Sequence, residues 1–344
     1  MITFAEACDV KKRIARSLLK HSKVQAIGVG YRDPKHPRKG AAILVYAVGF
    51  SPVSFGIRRK LSKVGGGVPV RVVRTAKLRA NCLYSSRIRP VIAGYSIGTR
   101  SVSGTLGLIL SDVLDPSQRY FFSNTHVLTD PLNGTARVAT LQPGGQDDGR
   151  LRRDRVGMLE RFARLQRRRA NYIDAAIAAP RRNAILSPRY AQVGTIPGHV
   201  TSYRVGDRFM KVGQTTGLRY GVVESVNTDV LIDYGKKGVL RFENQTIVRG
   251  TRPISLPGDS GSVWLRRSDH YAAAVNFAGT DDGSISVAFP VDWAMQAFRT
   301  RVARRGGAGR VRKVRRSSEA FAPSLTPSRL ASIQVVQATS PGAK

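Results

Sequence analysis

The sequence predicts a mainly β protein that begins with a small α+β unit. From about residue 97 the chain is a series of short β-branched or aromatic runs between Gly-rich turns, among them "RYFFSNTHVL", "DVLIDYG" and "ISVAFPV". Short strands at this spacing, with few helical patterns between them, are typical of β-sandwiches and β-barrels. We therefore expect residues 97–300 to form the main β domain.

The first 90 residues have a different pattern. Apolar residues recur at helical spacing over 3–20, with Lys and Arg on the other face, which predicts an amphipathic helix. Three strand-like runs follow, "KVQAIGVGY" (23–31), "AAILVYAV" (41–48) and "VPVRVVRT" (68–75). Residues 1–90 are predicted to be a separate α+β domain.

The C-terminal part combines a helix-like segment with a basic end. Residues 291–305, "VDWAMQAFRTRVARR", favour a helix that closes the main domain. Residues 306–344 are rich in Arg, Gly, Ser, Pro and Ala, a composition typical of disorder. We expect 306–344 to be a basic disordered tail.

The charge of the chain is strongly positive. There are 57 Lys+Arg against 22 Asp+Glu, a net charge of +35. Basic residues are concentrated in 150–169 and 299–316. These segments predict contacts with nucleic acid or another polyanion through phosphates, without base readout, because they lack interleaved aromatic residues. The alternative is a solvated surface with no such partner, and the sequence leaves both open.

Other features bear on the compartment and on bound groups. The two cysteines, Cys8 and Cys82, show no pairing pattern. The N-terminus has no signal-peptide pattern. The longest apolar run (41–50) is too short to span a membrane. We expect a cytoplasmic protein without a membrane partner. The sequence shows no metal-ligand cluster and no cofactor motif.

The stretch "LPGDSGSV" (256–263) raises a choice between a tight turn and a nucleophilic serine. A serine needs an imidazole to take its proton, and the chain has five histidines. His21, His36, His199 and His270 have the pattern of surface or turn residues, whereas His126 follows an aromatic strand. The imidazole in turn needs a carboxylate.

Asp174 is the favoured carboxylate because it interrupts the apolar run "NYIDAAIAAP", where an unpaired charge would be costly. Four other acids compete with it, and they lie in polar or Arg-rich stretches: Asp130, Asp147, Asp148 and Asp154. The candidates therefore occur in the order His126, Asp174, Ser260.

The segments "SNTHVL", "YIDAAIA" and "PGDSGS" resemble the three catalytic segments of the chymotrypsin-like serine peptidases. The run "KVGQTTGLRYGVV" (211–223) resembles the strand pair that opens the second barrel in bacterial intracellular members. The N-terminal "VQAIGVGYR" and "AAILVYAV", followed by "RIRPVIAGYSIG", resemble the subgroup that includes the plant narrow-leaf proteins and their bacterial relatives. The resemblance covers roughly residues 20–300.

This resemblance implies a chymotrypsin-like double β-barrel, with barrels at about 97–200 and 201–300 and the site in the cleft between them. Ser260 would be the nucleophile, His126 the general base and Asp174 the residue that orients it. The N–H groups of Gly258 and Ser260 would form the oxyanion hole. Ile254 would lie at the base of the specificity pocket, with Phe277 and Gly279 facing the substrate, which favours an apolar side chain.

The sequence thus predicts a serine endopeptidase that acts on proteins or peptides. The alternative is a catalytically weak or inactive protein of the same fold that binds nucleic acid or an acidic partner through its Arg-rich segments. An oligomeric state is not indicated by the sequence.

Overall fold

The chain divides into two compact units, Met1–Asn81 and Cys82–Lys344. The computed structural model describes residues 1–48, 67–75, 84–129 and 136–339. Cys82 and the competing acid Asp130 therefore lie outside the described residues.

The N-terminal unit packs one helix on a small sheet. Helix α1 (Phe4–Leu19) begins at a capping box in which Thr3 and Glu6 satisfy each other's backbone N–H groups. Its buried face, with Val10, Ile14 and Leu18, packs on the sheet. The strands are β1 (Val24–Tyr31), β2 (Ala41–Val48) and β3 (Val70–Thr75), in the order β1-β2-β3. The predicted helix and the three predicted strands are confirmed.

In the described part of the chain, the second unit contains two large sheets. The first sheet has ten strands there, in the order β21-β20-β7-β8-β11-β10-β9-β5-β6, with β23 also paired to β10. Its strands are β5 (Ser96–Gly98), β6 (Ser103–Thr105), β7 (Leu108–Asp112), β8 (Arg119–Ser123), β9 (Ala139–Leu141), β10 (Arg155–Ala163), β11 (Ala176–Pro180), β20 (Thr300–Arg304), β21 (Gly307–Ala308) and β23 (Val335–Gln337).

The second sheet has eight strands, and six of them close into a ring. The order is β17-β14-β15-β16-β19-β18-β13-β22, and β17 also pairs with β18, so the sheet is a six-stranded barrel with β13 and β22 beside it. Its strands are β13 (Gly198–Val200), β14 (Arg208–Gly213), β15 (Gly217–Asp233), β16 (Val239–Arg249), β17 (Val263–Arg266), β18 (Ala272–Gly279), β19 (Ile285–Pro290) and β22 (Arg310–Arg312). Closure leaves these six strands without a free edge.

Short elements complete the second unit. Strands β4 (Val91–Ala93) and β12 (Leu186–Tyr190) form a two-stranded parallel pair. The helices are α2 (Thr125–Leu128), α3 (Leu151–Asp154), α4 (Val291–Phe298) and α5 (Pro327–Ser332). The helix predicted over 291–305 ends early, because Arg299 adopts a left-handed conformation (φ 54°) and the chain continues as β20.

The disordered tail predicted for 306–344 is wrong for residues 306–339. This segment contributes β21 and β22, then α5 and β23, and it buries Ala322, Leu325 and Ala338. The average composition is polar, but these three apolar residues reach the core. Short backbone pairings with β13 and β10 satisfy part of the main chain.

The predicted mainly β architecture is confirmed, with an α+β unit before two β-sheets. Among the described residues, no helix is both long and apolar enough to cross a membrane.

Candidate active site

His126 lies in α2, the single helical turn after β8. Its two predecessors fix that turn to neighbouring strands. The amide of Asn124 donates to the backbone carbonyl of Asp174 at 2.6 Å, and the Thr125 hydroxyl lies 2.8 Å from the carbonyl oxygen of Ala175. The two acceptors are the backbone carbonyls of Asp174 itself and of the next residue, so these bonds hold the imidazole beside the Asp174 carboxylate.

Asp174 is fully buried two residues before β11. Its Oδ2 lies 2.5 Å from Nδ1 of His126 and accepts the Tyr234 hydroxyl at 2.7 Å, while Oδ1 accepts the backbone N–H of His126 at 3.3 Å. Burial raises the pKa of this carboxyl, but the charge and hydrogen bonds of His126, with the Tyr234 hydroxyl, hold the pKa below its ordinary value. Asp174 is therefore ionised near neutral pH and can orient the ring.

The competing acids have other partners. Asp147 accepts the hydroxyl of Ser96 at 2.7 Å, and Asp154 is buried against the guanidinium of Arg153. Within the described part of the chain, the carboxylate bound to His126 is that of Asp174.

A second imidazole–carboxylate pair lies elsewhere in the unit. His199 Nε2 is 3.2 Å from Asp292 Oδ1, and both residues are buried. The interpretation of His199 as a surface or turn residue is therefore wrong: it lies in β13, between β18 and β22. Its Nδ1 has no hydrogen-bond partner among the described residues. His199 does not line the cleft that contains Ser260.

Ser260 lies in a loop just before β17 whose shape is fixed by Asp259. The Asp259 carboxylate accepts the backbone N–H groups of Leu256, Thr215 and Thr216 at 3.0–3.1 Å. Gly258 has φ +99°, and a Cβ there would lie 2.2 Å from the amide nitrogen of the Gln214 side chain. Only glycine is compatible with both constraints. The GDSGS stretch is thus a rigid turn. The sequence offered a tight turn and a nucleophilic serine as alternatives, and this geometry is compatible with both.

This turn leaves two N–H groups unpaired. Among the described residues, neither the N–H of Gly258 nor that of Ser260 has an acceptor, whereas the N–H of Asp259 donates to Leu256 and that of Gly261 to Asn276. Two free donors that flank one serine are the arrangement that can bind a developing oxyanion.

A buried ion pair supports the turn from behind. Lys211 Nζ in β14 lies 3.3 Å from Asp259 Oδ2, and both side chains have no exposed surface. The ammonium also lies 5.4 Å from the centre of the Trp264 ring. Burial lowers the pKa of Lys211, although the adjacent Asp259 carboxylate opposes the shift.

The first sheet also holds the turn. Thr105, at the end of β6, donates its backbone N–H to the carbonyl of Ser260 at 2.7 Å and its hydroxyl to the carbonyl of Gly258 at 2.9 Å. The serine loop therefore bonds to the sheet that carries His126 and Asp174.

Ser260 and His126 line one cleft of about 630 Å³. The other lining residues are Leu231, Ile232, Asp233, Tyr234, Ser255, Leu256, Pro257, Phe277, Ala278, Gly279, Thr280 and Asp281. Among the described residues, no hydrogen bond joins the Ser260 hydroxyl to the imidazole. Such bonds are often long before a substrate binds.

The predicted specificity residues divide into two groups. Phe277 and Gly279 line the cleft. Ile254 does not: it is 1% exposed and packs with Val223, Val248 and Trp264 inside the second barrel. The adjacent Ser255 and Leu256 face the cleft instead. The described residues contain no cluster of three His, Cys, Asp or Glu side chains that could hold a metal ion.

Comparison with family models and with curated proteins finds no match to this chain. Solved structures similar to it include a glutamic-acid-specific serine protease that uses a histidine triad in substrate binding (18% identity, 62% of this chain and 100% of that chain, TM-score 0.45). Others are the Nocardiopsis protease (18%, 62% and 99%, 0.45) and Thermobifida fusca protease A (18%, 62% and 98%, 0.44).

The arrangement of the sheets agrees with the mainly β fold predicted from the sequence. Strands of a closed six-stranded ring precede and follow the loop of Ser260, and His126 and Asp174 lie beside strands of a neighbouring sheet.

Three residues of this candidate site were missed from the sequence. Lys211 had a usable signal, because a lysine inside the apolar strand "RFMKVG" needs a buried partner, as Asp174 does. Tyr234, in the polar turn "DYGKKG", and Thr105 have no local pattern that predicts their contacts.

Proposed function

We propose that the protein is a serine endopeptidase that hydrolyses peptide bonds through Ser260, His126 and Asp174. The observation that carries this proposal is that Ser260 and His126 line one cleft, with the imidazole bound to a buried carboxylate and two unpaired N–H groups beside the serine. These are the parts that acyl transfer requires.

The chemistry follows from which nitrogen is occupied. Nδ1 of His126 is bound to Asp174, so Nε2 is available to accept the Ser260 proton. The serine oxygen then attacks the peptide carbonyl, and the N–H groups of Gly258 and Ser260 stabilise the oxyanion. His126 returns the proton to the leaving amine, and water hydrolyses the acyl-enzyme by the same route. Losing one oxyanion donor typically costs about 100-fold or more in rate.

We place the protein among the bacterial intracellular relatives of the plant narrow-leaf proteins, with a peptidase domain over 97–300. This placement rests on the motifs of the sequence. It agrees with an α+β unit preceding the two sheets.

The substrate side chain is proposed to be apolar. Leu256 and Phe277 line the cleft, and Gly279 adds no side chain to it. The buried position of Ile254 removes it from direct contact. A panel of peptide substrates tests this point, and dominant cleavage after Lys or Arg would instead assign recognition to the exposed acids Asp233 and Asp281 of the same cleft.

Labelling with a fluorophosphonate probe tests the activity. Wild type is expected to react at Ser260, and Ser260→Ala and His126→Ala are expected not to react. Ser268→Ala and His270→Ala, which change exposed residues of a turn outside the cleft, are the matched controls. Folded wild-type protein that fails to label would contradict the proposal.

Binding of a polyanion is the second candidate, favoured by the exposure of the basic segments. In 150–169 the exposed arginines are Arg150, Arg152, Arg153, Arg155, Arg164, Arg167, Arg168 and Arg169, and in 299–316 the exposed basic residues are Arg299, Arg301, Arg304, Arg305, Arg310, Arg312, Lys313 and Arg315. Salt-dependent retention on heparin tests it. Charge-removing substitutions are needed rather than deletion of 299–316, because that deletion would remove β20 from the first sheet.

A further inference from the structure

Tyr234 brings a third hydrogen-bond donor to the buried carboxylate of Asp174. Its hydroxyl donates to Oδ2 at 2.7 Å, and the same oxygen binds Nδ1 of His126. Tyr234 follows β15 of the second sheet, whereas His126 follows β8 and Asp174 precedes β11 of the first sheet. One side chain therefore joins the carboxylate to the half of the site that carries Ser260.

The hydroxyl of Tyr234 is restricted to donating. Burial of the hydroxyl, with the negative charge of Asp174, raises its pKa well above the ordinary value of 10.0. It therefore keeps its proton through the pH range in which a serine peptidase works. A carboxylate has no proton to give, so the bond has one direction.

The ring of Tyr234 is held in place by aromatic packing. It stacks on Phe242 with ring centroids 6.0 Å apart, and Phe242 contacts Phe277 at 4.8 Å. The Tyr234 and His126 rings form a T-shaped pair, with centroids 5.8 Å apart and an interplanar angle of 78°. The imidazole is thus held by Asp174 at Nδ1 and packs against the Tyr234 ring.

The position of Tyr234 in the chain gives this contact a wider role. Tyr234 follows β15 at the turn of the long hairpin β15–β16, and its backbone N–H donates to Gly238 across that turn. Leu231 and Ile232 of the same hairpin line the cleft. A peptide bound in the cleft would therefore contact the segment that holds Asp174.

We propose that Tyr234 is a positioning residue for the His126–Asp174 pair, so that the tip of the β15–β16 hairpin belongs to the active site. Tyr234 acts through Asp174 and does not contact the reacting atoms. This inference rests on the proposed peptidase function.

The test is Tyr234→Phe in the full chain, which removes one oxygen and keeps the ring. The second-order rate of fluorophosphonate labelling is expected to fall about 10- to 100-fold, the factor typical of one lost hydrogen bond to a charged group. The acidic limb of the pH profile of the labelling rate is expected to move to higher pH. Without the Tyr234 hydroxyl the charge of Asp174 is less stabilised, so the coupled His126–Asp174 pair takes up a proton more readily. A merely structural role would not move that limb.

Tyr203→Phe is the matched control. It removes another buried tyrosine hydroxyl from the second barrel, one that bonds to Thr246 at 2.8 Å and not to Asp174. Its labelling rate and pH profile are expected to equal those of wild type. Equal rates and profiles for Tyr234→Phe and Tyr203→Phe would overturn the proposal.

A readout without catalysis separates this proposal from the peptidase proposal. In protein labelled with ¹³C at the aspartate carboxyls, the Asp174 signal is assigned by its loss in Asp174→Asn. Tyr234→Phe is expected to move its titration to higher pH even if the wild type does not react with the probe. An unchanged titration would refute the role of Tyr234, and unreactive wild type with a shifted titration would refute only the peptidase.

If Tyr234→Phe does not fold, 3-fluorotyrosine incorporated into the wild-type chain tests the same bond. A more acidic phenol donates a stronger hydrogen bond, so the Asp174 titration is expected to move to lower pH. No movement would count against the proposal.

Discussion

The buried pair of Lys211 and Asp259 offers the sharpest test of how the serine loop is held. Lys211→Met keeps the length of the side chain and removes its charge. Asp259 would then remain without its cation in a site where neither side chain has exposed surface. Its bonds to Leu256, Thr215 and Thr216 would persist, but these are neutral donors.

Removing one partner of a buried pair typically costs about 3–5 kcal/mol, because it strands the other charge. The three remaining N–H bonds place the expected cost for Lys211→Met near the lower end, about 3 kcal/mol. Whole domains are stable by only about 5–15 kcal/mol, so the loss would be a large fraction of the total. The double variant Lys211→Met/Asp259→Asn is expected to recover part of it, since no charge is then left behind.

Guanidinium unfolding followed by tryptophan fluorescence measures this cost. Both tryptophans, Trp264 and Trp293, lie in the second unit, so the signal reports that unit alone. Arg249→Met is the control, because it breaks an exposed pair with Glu224 and is expected to change little. A free energy of unfolding for Lys211→Met within about 1 kcal/mol of wild type would refute the reasoning.

Three further outcomes are expected. Gly258→Ala should abolish probe labelling, because its Cβ would meet the Gln214 side chain. Gly206 has a similar positive φ but open space around it, so Gly206→Ala should lower the free energy of unfolding by only roughly 1–2 kcal/mol, the cost of a left-handed residue. Thr105→Val should slow labelling and cost about 1–3 kcal/mol in thermal unfolding, since it removes a buried hydroxyl bonded to the serine loop. The pKa of Asp174 in the folded protein lies below 3.8, so its contribution to the free energy of unfolding is present above that pH and is lost as the pH falls. Asp174→Asn should therefore make the free energy of unfolding decrease less steeply below pH 4.

Local sequence patterns predicted the parts of the fold and site that depend on neighbouring residues. The helix of the N-terminal unit was predicted from apolar residues that recur over 3–20, and the face that it buries includes Val10, Ile14 and Leu18. The pairing of Asp174 with a histidine follows from one charge in an apolar run, and the structure places that charge against His126. In each case the reason is contained within about ten residues.

Contacts between distant segments could not be predicted in this way. Tyr234 and Asp174 are 60 residues apart, and nothing near Tyr234 requires a carboxylate. The prediction for His199 was wrong because the local sequence "TIPGHV" is typical of a turn. Its burial instead depends on pairing of β13 with β18 on one side and β22 on the other. Ile254 was assigned to the pocket by position in a motif, but the side chain of one residue in a loop can face the core while its neighbours face the cleft.

The ordered structure of residues 306–339 has a consequence for how the two sheets are connected. After β22 pairs with β13 of the second sheet, the chain bonds to Tyr203 through Ala322 and to Trp293 through Pro323. Strand β23 then pairs with β10 of the first sheet. The segment is a tether across the two lobes that share the cleft. A single cut in its exposed stretch 317–320 would break this link and leave the other contacts between the lobes, such as the bonds from Thr105 to the serine loop. Since the proposed base and the proposed nucleophile belong to different lobes, this segment is one covalent link between the two halves of the proposed site.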